Sequence, residues 1–288
     1  MLKQSILLIL LAIFSASTLA EPALWQVNTP GGGQFWLLGS IHVGKADNSH
    51  DLERIAKRLP KVNTLLQELA PSELTPPKMQ AAAMRYGILR QGTLADVLSA
   101  SAYQQLETLA ADYGLPMDQL NRTRPWFAMM SLMQAALATQ HYNPNLGIDN
   151  QMLAIAKARG WQLKGLETVD RQFKALASTD AYADQMVDES VDEMHTLDST
   201  LAPMLTAWEK GQLTQLDQLC PLNQGTGAAY QNMHDATLKL RNQEWVPKLL
   251  KTAKGDNTLV VVGLGHIICQ DNVLSLLKAK GAKVERLQ

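Results

Sequence analysis

The chain has 288 residues, 46% of them hydrophobic, with two cysteines and a net charge of −1 with histidines neutral. That balance leaves no basic footprint for nucleic acid or for an anionic membrane face. The length suits one large core, or one domain carrying helical insertions.

Residues 1–20 read as a secretory signal. Lys3 supplies the positive start, 6–14 is an apolar run, and Thr18-Leu19-Ala20 places small side chains at a cleavage site after Ala20. The run is short for a membrane span, and no later stretch reaches the ~18 uninterrupted apolar residues of a transmembrane helix. The mature chain, 21–288, is therefore expected to be a soluble periplasmic domain without a membrane span. Cys220 and Cys269 both fall within it, and an oxidising compartment predicts that they are bridged.

Two strands, 24–27 and 35–41, flank Gly31-Gly32-Gly33 and read as a hairpin. A short helix over 51–59 leads to a strand over 62–68, after which Pro71, Pro76 and Pro77 break the chain. The pattern from 78 to about 140 is helical, with helices over 79–86, 93–98, 102–112 and 126–140. Gly147-Ile148-Asp149 opens the next helix, with Asp149 as candidate N-cap. A strand over 161–166 then runs into Glu167. A second helical stretch covers 169–219, followed by a loop over 220–228, a helix over 229–254 and a turn at Gly255-Asp256-Asn257. The continuous apolar run at 258–262 predicts a strand covered on both faces. A helix over 273–280 and a strand over 283–287 close the chain. Strands alternating with helices, with helical insertions at about 78–145 and 169–254, predict an α/β fold with a mixed, mainly parallel sheet.

Four ionisable residues share one address. His42, Glu68, Glu167 and His266 each end or follow a predicted strand. If those strands are parallel neighbours, their carboxyl ends line the sheet edge where open α/β sheets bind ligands. Two imidazoles and two carboxylates there could ligate a divalent metal or do acid–base work. The alternative is a pair of strand-end histidines that merely bond loop carbonyls. Gly39-Ser40-Ile41-His42 and Gly263-Leu264-Gly265-His266 are both Gly-x-x-His, and the glycines allow a tight strand exit and close backbone approach. Arg241 and Asn242 lie on the helix before the last core strand, where an arginine could stabilise an oxyanion. His50, His141, His195 and His234 sit in polar settings and read as exposed. Methionines such as Met129, Met130, Met194 and Met204 read as packing residues.

At these residues the chain resembles the TraB/GumN family, which is related to Tiki-type metalloproteases. The resemblance rests on Phe35 to His42, Leu65-Leu66-Gln67-Glu68, Gly147-Ile148-Asp149, Gly165-Leu166-Glu167-Thr168, Arg241-Asn242 and Val261 to His266. It implies a core like those of erythromycin-esterase-like and ChaN-like proteins. It also implies a divalent-metal site (Mn, Co, Fe or Zn) made of His42, His266 and a glutamate, hydrolysing peptide bonds. Glu68 is then the expected ligand and Glu167 the expected base, with the two able to exchange roles, and Arg241 is the expected oxyanion stabiliser. Gly39, Gly263, Asn242 and Asp149 are expected to contact the substrate or support the ligands. The partner is a peptide or small-molecule substrate, with the oligomeric state left open. Two rival readings stand: a metal-free, esterase-like hydrolase, and a non-enzymatic protein that binds a ligand in the same cleft.

Overall fold

A computed structural model describes residues 21–218, 220, 228–252 and 257–287. Residues 1–20, expected to be an export signal, most of the loop expected over 220–228, the end of the helix expected over 229–254 and Gly255-Asp256 lie outside the described residues. Six strands form one mixed sheet: β1 (Leu24–Asn28), β2 (Gln34–Ser40), β3 (Thr64–Leu69), β4 (Gln162–Glu167), β5 (Thr258–Gly263) and β6 (Lys283–Arg286). Their order is β4-β3-β5-β2-β1-β6. β4, β3, β5 and β2 are mutually parallel, while β1 runs antiparallel to both β2 and β6. The α/β class with a mixed, mainly parallel sheet is therefore as expected, and the β1–β2 hairpin turns through Gly32 at φ +80°.

Strand alternation explains the layers. Leu38, Leu65, Leu259 and Val261 face the helices Ser49–Arg58, Ile148–Ala158 and Leu197–Glu209. Phe35, Leu37, Leu66, Val260 and Val262 face the opposite layer, where Trp245 and Leu249 of helix Leu240–Thr252 pack with Val273 and Leu277 of helix Val273–Ala279. Every residue of β5 is buried, as a strand covered on both faces requires.

The two insertions share a third core. Leu106, Leu109 and Leu132 from the first pack with Val187, Met194 and Leu197 from the second. Met129 and Met194 are buried there, so these methionines serve packing. Among the described residues no helix is long and apolar enough to cross a membrane.

Three local readings are corrected. Helix Ile148–Ala158 is capped by Gly147, and Asp149 lies in its first turn without capping it. His234, expected at the surface, is 5% exposed because its Nε2 meets the Gln270 carbonyl at 2.8 Å. The single helix expected over 229–254 is broken by a π turn at Asp235–Lys239, where the Leu240 N–H reaches the Asp235 carbonyl five residues back. Pro247 lies further along the same run.

Cys220 and Cys269 form a disulfide across 49 residues. It ties the middle of the second insertion to the segment that follows β5 and the short helix Gly265–Ile268. A loop of that size predicts a loss of about 2–4 kcal/mol when the bridge is removed. Urea unfolding of the Cys220→Ser/Cys269→Ser double variant, beside the oxidised protein, measures it; equal midpoints would contradict the estimate.

Candidate functional site

The strand order brings the predicted residues to one edge. Register pairs Ser40 with Gly263, Gln67 with Val261 and Leu69 with Glu167, so β2, β5, β3 and β4 end side by side. Glu68, at the end of central β3, lies between the other groups. One of its oxygens, Oε1, accepts from the Gly263 N–H at 2.8 Å and lies 3.9 Å from His42 Nε2 and 3.8 Å from His266 Nε2. Two imidazoles far apart in sequence thus meet at one carboxylate oxygen.

Each imidazole is oriented from behind. The His42 Nδ1–H donates to Asp149 Oδ1 at 3.2 Å, because a carboxylate only accepts. The Ile148 N–H donates to the Ile41 carbonyl, which draws the Gly147-Ile148-Asp149 turn against the His42 loop. The His266 Nδ1–H donates to Asn242 Oδ1 at 2.5 Å, while Asn242 Nδ2 donates to the Asp271 carbonyl. Both rings therefore point Nε2 towards Glu68.

Arg241 enters from helix Leu240–Thr252 and binds the acids together. Its Nη2 donates to Glu68 Oε2 and to Glu167 Oε1, both at 2.6 Å, and its Nε donates to Glu167 at 3.1 Å. Its Nη1 donates to the Thr237 carbonyl in the π turn and to His266 Nε2 at 3.1 Å. Trp245, four residues on, lies under the guanidinium, stacks on His266 at 4.3 Å and donates from Nε1 to Glu167. The Glu167 side chain is 1% exposed and does not line the cavity. The structure thus places it behind the guanidinium, where it positions Arg241, and not where a general base would meet substrate.

Burial and charge divide these groups. Burial would raise the Glu68 carboxyl, but the neighbouring His266, Arg241 and His42 side chains and the Gly263 N–H outweigh it and hold it down at about 2. Glu167 moves the other way, raised by burial against the pull of Arg241. Burial, reinforced by Arg241 and His42, pushes His266 down to about 3 and keeps it neutral. At His42, burial is outweighed by the Asp149 hydrogen bond and the charges of Asp149 and Glu68, raising it to about 9. The His42 side chain is 62% exposed and opens onto the cavity, whereas that of His266 is 4% exposed.

The cavity measures about 610 Å³, and His42, Glu68, Asp149, Arg241, Gly263 and His266 line its polar end. Gly39 lies behind it, where a Cβ would sit 2.7 Å from Leu264 Cδ1. Trp245, Gln172 and Thr237 were not singled out from sequence. Trp245 carries a signal in its i+4 spacing from Arg241. Gln172, which donates to Glu68 Oε2 at 3.1 Å, carries none.

Gly263 is the glycine that the reactive groups themselves crowd. A Cβ there would lie 3.1 Å from Glu68 Oε1 and 3.3 Å from His42 Nε2. Gly263→Ala is expected to force the cluster apart and lower stability by about 1–3 kcal/mol, the usual cost of overpacking. Urea unfolding checks this, and a variant as stable as the parent would contradict the crowding.

The sequence model of the TraB/PrgY/gumN family matches residues 23–286. Similar proteins include "Uncharacterized protein YbaP" of Escherichia coli (strain K12), 25% identical over 89% of this chain and 92% of that protein. The protein of the same name from Shigella flexneri is 24% identical over the same shares. No solved structure matches the chain. With a match across nearly all of the described residues, the chain belongs to the TraB/PrgY/gumN family.

Proposed function

We propose that this protein is an exported, divalent-metal-dependent hydrolase acting on peptide bonds, with His42, His266 and Glu68 as the metal ligands. One observation carries the reading: both histidines aim Nε2 at a single Glu68 oxygen while an oxygen acceptor fixes each Nδ1–H. Such outer acceptors are the usual partners of metal-bound histidines.

The donor set meets the needs of an ion in part. Ligand atoms about 2 Å from a metal lie roughly 3–3.5 Å from one another; the two nitrogens stand 3.9 and 3.8 Å from Glu68 Oε1 but do not come within 4.8 Å of each other, so binding would draw the exposed His42 ring inwards. Charge favours an ion. Glu68 and Glu167 share one guanidinium and Asp149 pairs with His42, which leaves two negative charges for a divalent ion to balance once His42 is neutral. Mixed nitrogen and oxygen donors suit manganese, cobalt, iron or zinc alike.

The ion would supply Lewis acidity and a bound water of lowered pKa. The remaining work falls to the chain. Asp149 and Asn242 hold the two rings in place, and Arg241, locked by Glu167 and Trp245, sets a fixed positive charge at the cavity wall beside Glu68. That charge can stabilise an oxyanion developing on a substrate carbonyl. The disulfide and the leader-like first twenty residues support a periplasmic location.

The Arg241 hydrogen bond to His266 Nε2 favours a second reading, since guanidinium and ion compete for the same lone pair. On that reading hydrolysis is metal-free and the cavity-facing His42–Asp149 pair serves as base.

Elemental analysis of the purified mature chain separates the two. One divalent ion per chain is expected in the parent, and none in His42→Ala or His266→Ala. Asp149→Ala and Asn242→Ala should weaken metal binding about 10–100-fold. Chelation should abolish peptide cleavage, and added metal should restore it. A metal-free parent that cleaves with undiminished rate in chelator would falsify the metal reading.

A further inference from the structure

We infer that the cavity selects substrates with a bulky, uncharged apolar side chain beside the bond to be cleaved, seated on Met130, Leu153, Leu176, Met204 and Leu238. The inference rests on the reading of this cavity as the hydrolytic site and adds the class of substrate it takes.

These five side chains come from five separate elements: helices Pro125–Thr139, Ile148–Ala158, Val169–Ala177 and Leu197–Glu209, and the π turn Asp235–Lys239. Each is only half-buried, so large apolar surface is left partly uncovered around a single space. Convergence from five directions forms a wall, which scattered surface leucines do not. A volume of about 610 Å³ falls within the ~300–1,000 Å³ of small-ligand sites, which are apolar with a few convergent polar groups.

The charges point the same way. Among the described residues, ionisable groups lining the cavity are confined to the sheet edge: His42, Glu68, Asp149, Arg241 and His266. They are already paired with one another. Among the described residues no lysine lines the space, and the one arginine there is committed to Glu68 and Glu167. A charged substrate side chain on this wall would lose its hydration without gaining a partner. Met130 and Met204 adapt to several shapes, so selection here follows polarity more than outline.

The test uses the metal-loaded mature chain and capped five-residue peptides, acetylated and amidated, with central Leu, Phe, Lys or Glu in a Gly/Ser background. Binding is measured by calorimetry, and cleavage by mass spectrometry in the same mixtures. Leu and Phe peptides are expected to bind about tenfold or more tightly than Lys and Glu peptides, as burial of one large apolar side chain predicts. Met130→Lys and Met204→Lys, on different helices, should each erase most of that preference and favour the Glu peptide, while Met204→Leu keeps it. Thermal melting identifies which variants remain folded. Equal binding of Leu and Lys peptides by the parent overturns the inference, and so does an unchanged preference in the folded Lys variants. An apolar preference without cleavage supports this inference and sinks the hydrolase reading. Cleavage that prefers charged peptides does the reverse.

Discussion

The polar end of this molecule depends on one buried guanidinium. Arg241 reaches Glu68 and Glu167 at 2.6 Å and also donates to His266 Nε2. Two carboxylates so close and so buried would not both ionise without a cation between them. Even with that cation they separate: burial raises Glu167, whereas Glu68 is held down. One acid thus becomes part of the support, and the other stays an ionised acceptor facing the cavity. Removing one partner of such a buried set costs about 3–5 kcal/mol, because the charge left behind is unpaired. A lysine could not stand in, since a single ammonium cannot present Nε, Nη1 and Nη2 to separate acceptors.

Placing Arg241 there needs both a helix and an irregularity in it. The π turn at Asp235–Lys239 adds a residue to the helical path just before Arg241. Such single turns recur at functional sites because they re-aim the side chains that follow. Here Arg241, Asn242 and Trp245 all reach the sheet edge, and the Thr237 carbonyl in the turn anchors the guanidinium. The edge itself is narrow because Gly263 has no side chain, which lets Glu68 approach the backbone of β5.

Much of this was legible in the sequence, for identifiable reasons. Strands with apolar alternation or continuous apolar runs were visible, and four of them ended near a histidine or a glutamate. The site followed once those strands were parallel neighbours, and their order supplied that. Asp149 looked like a helix cap because Asp often caps, yet Gly147 occupies that position and frees Asp149 for His42. Glu167 and Glu68 were indistinguishable in sequence, since both close a strand. Only the guanidinium between them tells support from acceptor. The π turn left no trace, because its residues have ordinary helical composition. His234 looked exposed for the same reason, and its burial comes from the distant Gln270 carbonyl.

The two halves of the site have different origins in the chain. The reactive groups sit on strand ends and on the helix that crosses them, where backbone pairing and the Arg241 network leave little freedom. Four of the five apolar wall residues, Met130, Leu176, Met204 and Leu238, come from the insertions, whose own core of Leu106, Leu132 and Val187 is separate from the two cores flanking the sheet. Met130 follows Met129 on one helix, so one residue packs into that core while its neighbour faces the cavity. A change at the second position alters the wall without unpacking the first, and it leaves Arg241, Glu68 and the histidines untouched. The sheet edge can therefore keep one chemistry while Met130 and the other apolar wall residues change what it acts upon, because that wall joins the edge by packing and not by shared charges.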